Sequence, residues 1–368
     1  MTITKNATNM VLHGNHEEGL NSTKVDSSLD NDAEVIIFRY VAPILIVFGT
    51  LGNFLSVVVL QSKYFKKSPA TFILSVLSLT DVGVLLCGLL RHFIIEVSPD
   101  DVDVRTFSAA ACHVHVMFTY YLCQLSSWTL LLVTLERMVS VRWPFKVNQM
   151  FSSNRIVIVW ITIAISLALL NSHWFKTLGL VANEDRSGYA CVVLDDYLWF
   201  TAVIWPWVDF IVLSLIPLLV IFTCNIVIIL ALLRATKLRS RALTNNQKTK
   251  ESQQITVMLI GLNVIFLLTT VPVSVYFIGE GKAWDPDRQS TRNAYVICNT
   301  IYYLSNSTNF LIYCLTGSKF RRALSMVICR RGSGARSEDS SIVKSRWRTG
   351  STTVEPVVVI SFVAKTHL

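Results

Sequence analysis

The chain has 368 residues, a formal net charge of +9, 52% hydrophobic and only 15% charged residues, with a mean hydropathy of +0.50. A soluble domain carries roughly a quarter charged residues, so a soluble, disordered or fibrous chain is excluded. The apolar residues gather in long runs between short polar segments, the pattern of a helical membrane bundle. Nucleic-acid binding, which this charge suggests in a soluble protein, is disfavoured because no basic–aromatic interleaving accompanies it.

In chain order, residues 1–34 form a polar tail without the apolar core of a signal peptide, so the first span serves as its own membrane signal. Asn6-Ala7-Thr8 and Asn21-Ser22-Thr23 in this tail predict glycosylation at Asn6 and Asn21. Seven apolar runs come next, at 35–60, 70–95, 109–140, 156–178, 198–232, 253–278 and 293–316. Each reaches the ~20 residues that carry a helix across ~30 Å of hydrocarbon. The fold expected is all-α: a seven-transmembrane-helix bundle over 35–317, a short amphipathic surface helix over 318–329 and a polar tail over 330–368.

Lys63, Lys66 and Lys67 come after the first run, and Asp30, Asp32 and Glu34 precede it. Basic flanks stay in the cytoplasm, which puts the N-terminus outside the plasma membrane and the C-terminus inside. The positive charge then belongs to the inner face, opposite anionic lipid. A third sequon, Asn306-Ser307-Thr308, lies within a span and is not expected to be modified.

Of eight cysteines, only Cys112 and Cys191 fall at oxidising outer positions. A bridge between them would close a loop of ~80 residues and constrain the unfolded chain by somewhat over ~4 kcal/mol, the alternative being two free thiols. In Ser318–Ile328, Phe320, Leu324 and Ile328 recur at helical spacing opposite Lys319, Arg321 and Arg322. Cys329, beside Arg330 and Arg331, is a lipidation candidate.

Polar groups are costly inside a bilayer, so each invites a role. Asp81, Asn53, Ser126, Ser305, Asn306 and Asn309 lie at similar depths and could surround water or a Na+ ion at Asp81; the bland alternative is helix–helix hydrogen bonding. Glu136-Arg137-Met138 ends the third span, where a guanidinium can fold back on its neighbour or be released to a partner; the alternative is an arginine marking the membrane edge.

Together with these features, Gly52-Asn53, Leu79-Thr80-Asp81, Trp160, Pro217, Pro272 and Asn309-Phe310-Leu311-Ile312-Tyr313 resemble the rhodopsin-like G-protein-coupled receptors over about residues 35–330. Cys87–His92 and Phe310–Arg322 look most like invertebrate neuropeptide receptors of the FMRFamide or thyrotropin-releasing-hormone type. The resemblance implies a ligand pocket in the outer half, outward movement of the sixth helix, and G-protein docking around Glu136, Arg137 and Tyr313. Some positions depart from the family pattern. Thr270 replaces a Trp two residues before Pro272, Phe310 replaces the seventh-span proline, Asn225 replaces a Tyr and Met138 an aromatic.

Thr119 stands where amine receptors carry an Asp, and 293–316 holds no Lys for a retinal Schiff base. The ligand-binding candidates are Arg91, His92, His115, Thr119, Tyr120, Gln124, Trp205, Asp209, Tyr276, Phe277, Tyr295 and Tyr302. Either Asp209 and Arg91 meet only each other or solvent, or Asp209 or Glu280 accepts a basic group of a short peptide while Arg91 meets a carbonyl or carboxylate. Acidic residues of the outer loops, among them Asp100, Asp101, Asp103, Glu184 and Asp185, would steer such a cation. Expected partners are an extracellular peptide, a heterotrimeric G protein, membrane lipid, arrestin at the Ser/Thr-rich tail and a PDZ domain at Thr366-His367-Leu368. A small-molecule or lipid ligand is the alternative. A transporter or channel is remote because no internal repeat is present. An enzyme is disfavoured: His16-Glu17 lacks the second His of a zinc motif, and there is no nucleophile elbow or phosphate loop.

Overall fold

The computed structural model describes residues 33–63, 68–98, 102–183, 188–242, 247–280 and 289–332. Asn6, Asn21, Asp100, Asp101, Glu184, Asp185 and the tail motifs lie outside these residues, as do the side chains of Glu280 and Cys329. Helix α1 is Ala33–Leu60, α2 Pro69–Val97 and α3 Ala109–Arg142. Helix α4 is Ser153–Asn171. Strands β1, Leu178–Asn183, and β2, Gly188–Val193, form an antiparallel hairpin. Helix α5 runs through Phe200–Ile204, Trp205–Asp209, Phe210–Leu215 and Ile216–Ala242. Then come α6 Gln247–Glu280, α7 Gln289–Thr316 and α8 Ser318–Gly332. The chain divides into two units, Met1–Val327 and Ile328–Leu368; α1 to α7 and the hairpin lie in the first.

Short polar residues start several helices. The Ser68 hydroxyl accepts from the Thr71 N–H (3.3 Å) with Pro69 next, Ser108 accepts from Ala111 (3.0 Å) and Ser152 from Arg155 (3.4 Å). Each satisfies an N–H that the first helical turn leaves unpaired. Among the described residues, four π-helical turns interrupt the regular ladders, at Ile37–Val41, Leu85–Leu89, Phe200–Ile204 and Phe210–Leu215. Such a turn adds a residue and re-aims the side chains beyond it. Arg91 and His92 stand just past the turn at Leu85–Leu89. The Val212 carbonyl, inside another such turn, accepts from Trp128 Nε1 (3.0 Å).

Six helical segments among the described residues are long and apolar enough to cross a membrane. α7 has the length, at 28 residues, but not the apolarity. Its Asn299, Asn306, Ser307 and Asn309 are buried. Thr300, Asn306 and Ser307 also bond to carbonyls one turn back, which lowers their cost in an apolar setting. A large apolar cluster draws on all seven spans, with Phe320 and Ala323 of α8. Phe48, Phe54, Leu169, Leu219 and Leu268 face away from the bundle, as a hydrocarbon solvent allows. α1 lies so close to α7 that a Cβ on Gly49 would sit 3.0 Å from Ser307 Cα.

The all-α bundle carries one short antiparallel hairpin between α4 and α5. α4 stops at Asn171, short of the expected 178, and a short helix, Trp174–Thr177, leads into β1. Residues 172–177, Ser-His-Trp-Phe-Lys-Thr, are of mixed polarity and do not continue the apolar run, and pairing of Leu178 with Val193 opens the strand directly after them. Cys112 and Cys191 form a disulfide across 79 residues, stitching the hairpin to the start of α3.

Candidate functional site

The end of the bundle that carries the hairpin also carries an ion cluster. Asp103, between α2 and α3, receives Arg91 Nε (3.0 Å) and Nη2 (2.8 Å) from α2. It also receives Arg105 Nε (2.9 Å), Nη2 (2.7 Å) and backbone N–H (3.0 Å). Burial alone would raise the Asp103 carboxyl, but the two guanidiniums outweigh it and hold it well below the usual carboxylate range. Burial also pulls the Arg105 guanidinium down from its ordinary value. Of the two readings of Asp209, the internal pair with Arg91 is not formed. Asp103 wins Arg91 because the two stand on adjoining segments and meet fork to fork.

Asp209 sits elsewhere, in a buried polar chain through α3, α4 and α5. Asn171 Nδ2 donates to Gln124 Oε1 (2.7 Å), and Gln124 Nε2 donates to Asp209 Oδ1 (2.8 Å). Gln124 and Asn171 are wholly buried. The candidate aromatics divide into two groups. Phe38 stacks on His92 (4.6 Å), and His92, Tyr276, Phe277 and Tyr295 form a connected wall from α2, α6 and α7. Tyr120 and Trp205 instead pack with His173 and Trp174 near the hairpin. Thr119 bonds back to the His115 carbonyl (2.8 Å).

Midway along the bundle, Ser126 Oγ donates to Asp81 Oδ1 (2.7 Å) and Asn309 Nδ2 to Asp81 Oδ2. Asp81, Ser126, Ser127, Tyr302, Ser305, Asn306 and Asn309 line one cavity. Tyr302 thus belongs to this cavity. Asn53 joins the group indirectly, through Nδ2 to the Asn306 carbonyl (2.8 Å).

At the opposite end, Arg137 Nε lies 3.2 Å from Glu136 Oε2, an ion pair whose N–H is not aligned for a hydrogen bond. Tyr313 is buried and packs on Phe320 of α8 (5.4 Å). A second chain ties three helices here: Thr134 Oγ1 donates to Asn263 Oδ1 (3.1 Å), and Asn263 Nδ2 to Asn225 Oδ1 (2.9 Å). Sequence reading missed Asn171 and Asn263, although both are amides within apolar runs, the signal that exposed Asp81. It also missed the role of Arg105, whose partner lies two residues away in a loop.

The family description "7 transmembrane receptor (rhodopsin family)" matches residues 52–313, the greater part of the chain. The chain belongs to the rhodopsin family of seven-transmembrane receptors. A putative G-protein coupled receptor of Caenorhabditis elegans is 22% identical over 322 residues, 80% of this chain and 74% of that protein. Mouse neuromedin-U receptor 2 is 23% identical over 293 residues, 77% of this chain and 73% of its own. The Drosophila melanogaster FMRFamide receptor is 26% identical over 298 residues, covering 77% of this chain and 52% of the receptor. The protein is therefore a multi-pass membrane receptor and not an enzyme. The narrower likeness to neuropeptide receptors agrees with these relatives.

Proposed function

We propose that this receptor binds a short extracellular peptide at its hairpin end and activates a heterotrimeric G protein at the Arg137 end. What carries the reading is the similarity to receptors named for neuromedin U and FMRFamide, both peptides. The structure supplies a suitable frame: a disulfide-held hairpin beside charged and aromatic side chains at one end, and a paired arginine at the other. In this reading the N-terminus is outside and glycosylated at Asn6 and Asn21. The tail recruits arrestin and a PDZ domain, and Cys329 carries a lipid. A screen of short peptides on cells expressing the chain, read through a promiscuous G protein, tests the ligand class. Peptide-evoked signals absent from untransfected cells are expected. Signals from small organic molecules or lipids alone would favour the alternative ligand class.

The Asp81 cavity fits a sodium ion by donor type. The carboxylate of Asp81, the hydroxyls of Ser126, Ser127 and Ser305 and the amide oxygens of Asn306 and Asn309 are of the hard-oxygen type such an ion takes. A bound ion would neutralise the carboxylate, while Ser126 and Asn309 hold that carboxylate in place. Sodium chloride should then stabilise the purified receptor more than choline chloride, and Asp81→Asn should remove the difference.

A further inference from the structure

At the hairpin end, two guanidiniums share one carboxylate. Five N–H donors reach Asp103, which fills the roughly four acceptor positions of a carboxylate. Arg91 and Arg105 each spend two of their five N–H groups on it. Among the described residues one positive charge is left over in this cluster, on forks that still have donors to give. Glu96, on the same helix as Arg91, is taken by Arg39 (3.3 Å). The charge sits in a half-dry place: the side chains of Arg91, Arg105 and Asp103 are only 17%, 20% and 14% exposed. A surplus charge held out of water is costly until an anion meets it.

The surroundings suit a ligand better than a purely internal clamp. His92 and His115 lie within electrostatic reach of both guanidiniums, and Tyr295 within reach of Arg105. Of these, His92 and Tyr295 join the aromatic wall with Tyr276 and Phe277. A planar fork beside aromatic rings fits a carboxylate carried on an apolar or peptide body. The segment that carries Asp103 and Arg105 includes the short helix Val104–Thr106 and packs on α3 and β2, so the disulfide-linked hairpin backs it.

We propose that Arg91 and Arg105 together form an anion-docking point that binds a carboxylate of the ligand, with Asp103 as the internal carboxylate that holds donors of both forks and competes with the ligand for them. The proposal rests on the receptor reading but not on the ligand's being a peptide. The carboxylate comes either from a chain terminus or from an acidic side chain, and the two are separable with simple probes.

The test is the melting temperature of the purified, detergent-solubilised full chain with N-acetyl-leucine, N-acetyl-glutamic acid α-amide or N-acetyl-leucine amide, each at millimolar concentration against equal ionic strength of sodium chloride. At least one carboxylate should raise the midpoint, and the uncharged amide should not. A terminal carboxylate is indicated if N-acetyl-leucine is the better probe, a side-chain carboxylate if the glutamic acid derivative is. Arg105→Gln should abolish the shift. If that variant does not fold, Asp103→Asn decides. Freed of their internal carboxylate, both guanidiniums should bind the probe on the order of ten-fold more tightly. A merely structural cluster would lose stability in Asp103→Asn without gaining probe affinity. No carboxylate-dependent shift in the unaltered chain, an equal shift with the amide, or a shift that survives Arg105→Gln would overturn the proposal. Carboxylate binding without any peptide agonist would sink the peptide reading alone, and peptide agonism without carboxylate binding would sink this site alone.

Discussion

Asp103 is a single carboxylate on which five donors converge, so its protonation state bears on the fold of the hairpin end. Its folded value lies below that of the unfolded chain, about 4 for an ordinary Asp. A depressed carboxyl stabilises the fold above the unfolded value and loses that contribution as pH falls toward the folded one. The melting temperature should therefore decline as the pH is taken below about 4, and Asp103→Asn should flatten this acid limb while lowering the plateau at neutral pH. An unchanged acid limb in the variant would remove Asp103 from the account. Asp209 poses the same question in a drier setting. Gln124→Leu would strip the one side-chain donor described for its carboxylate and should cost on the order of 1–3 kcal/mol, read as a lower melting temperature. At this scale the sequence showed which residues were chemically expensive but not whom they meet. Arg91 and Asp209 both stood out; their partners, Asp103 and Gln124, were set by a π-helical turn and by helix rotation, which no local pattern encodes.

Between the helices, the Thr134–Asn263–Asn225 chain joins α3, α6 and α5 near the Arg137 end. Asn225 stands where the family pattern has a Tyr, so these amides supply a tie that a larger phenol would not make in the same way. Pro272 lies farther along α6, where its missing N–H leaves a natural bending point. If α6 swings outward about that point, the amide tie opposes the motion. Asn263→Val removes both hydrogen bonds of the tie and should then raise nucleotide exchange on the G protein in the absence of ligand, by roughly the ten-fold or more that two buried hydrogen bonds of about 1 kcal/mol each allow. Basal exchange equal to that of the unaltered receptor would show that the tie does not gate α6. Six of the spans were legible because hydrocarbon demands long apolar runs, while the more polar α7 was marked instead by its length and its Asn309–Tyr313 motif. The hairpin was not, because Leu178–Asn183 and Gly188–Val193 pair with one another across a loop, and hydropathy carries no information about pairing.

Across the whole molecule, the disulfide and the apolar cluster divide the labour. The cluster packs the spans together, and Cys112–Cys191 fixes the hairpin over their end. Cys112→Ser or Cys191→Ser should leave the helical content largely intact but sharply reduce surface expression and ligand response. Wild-type response in either variant would mean that the hairpin holds its place by packing alone. The bundle, the paired cysteines and the family were all readable from the chain, because each rests on residue type at a coarse spacing. The grouping of site residues into an ion cluster, an aromatic wall and a mid-bundle cavity required three dimensions.

The central claim is that ligand arriving at the hairpin end drives a G protein at the Arg137 end. The most direct measurement is paired peptide binding and nucleotide exchange in membranes bearing the unaltered chain or Arg137→Ala. The account predicts peptide-stimulated exchange by the unaltered receptor, and in Arg137→Ala retained peptide binding with exchange lost. Undiminished exchange in Arg137→Ala, or peptide binding lost together with it, would contradict the claim.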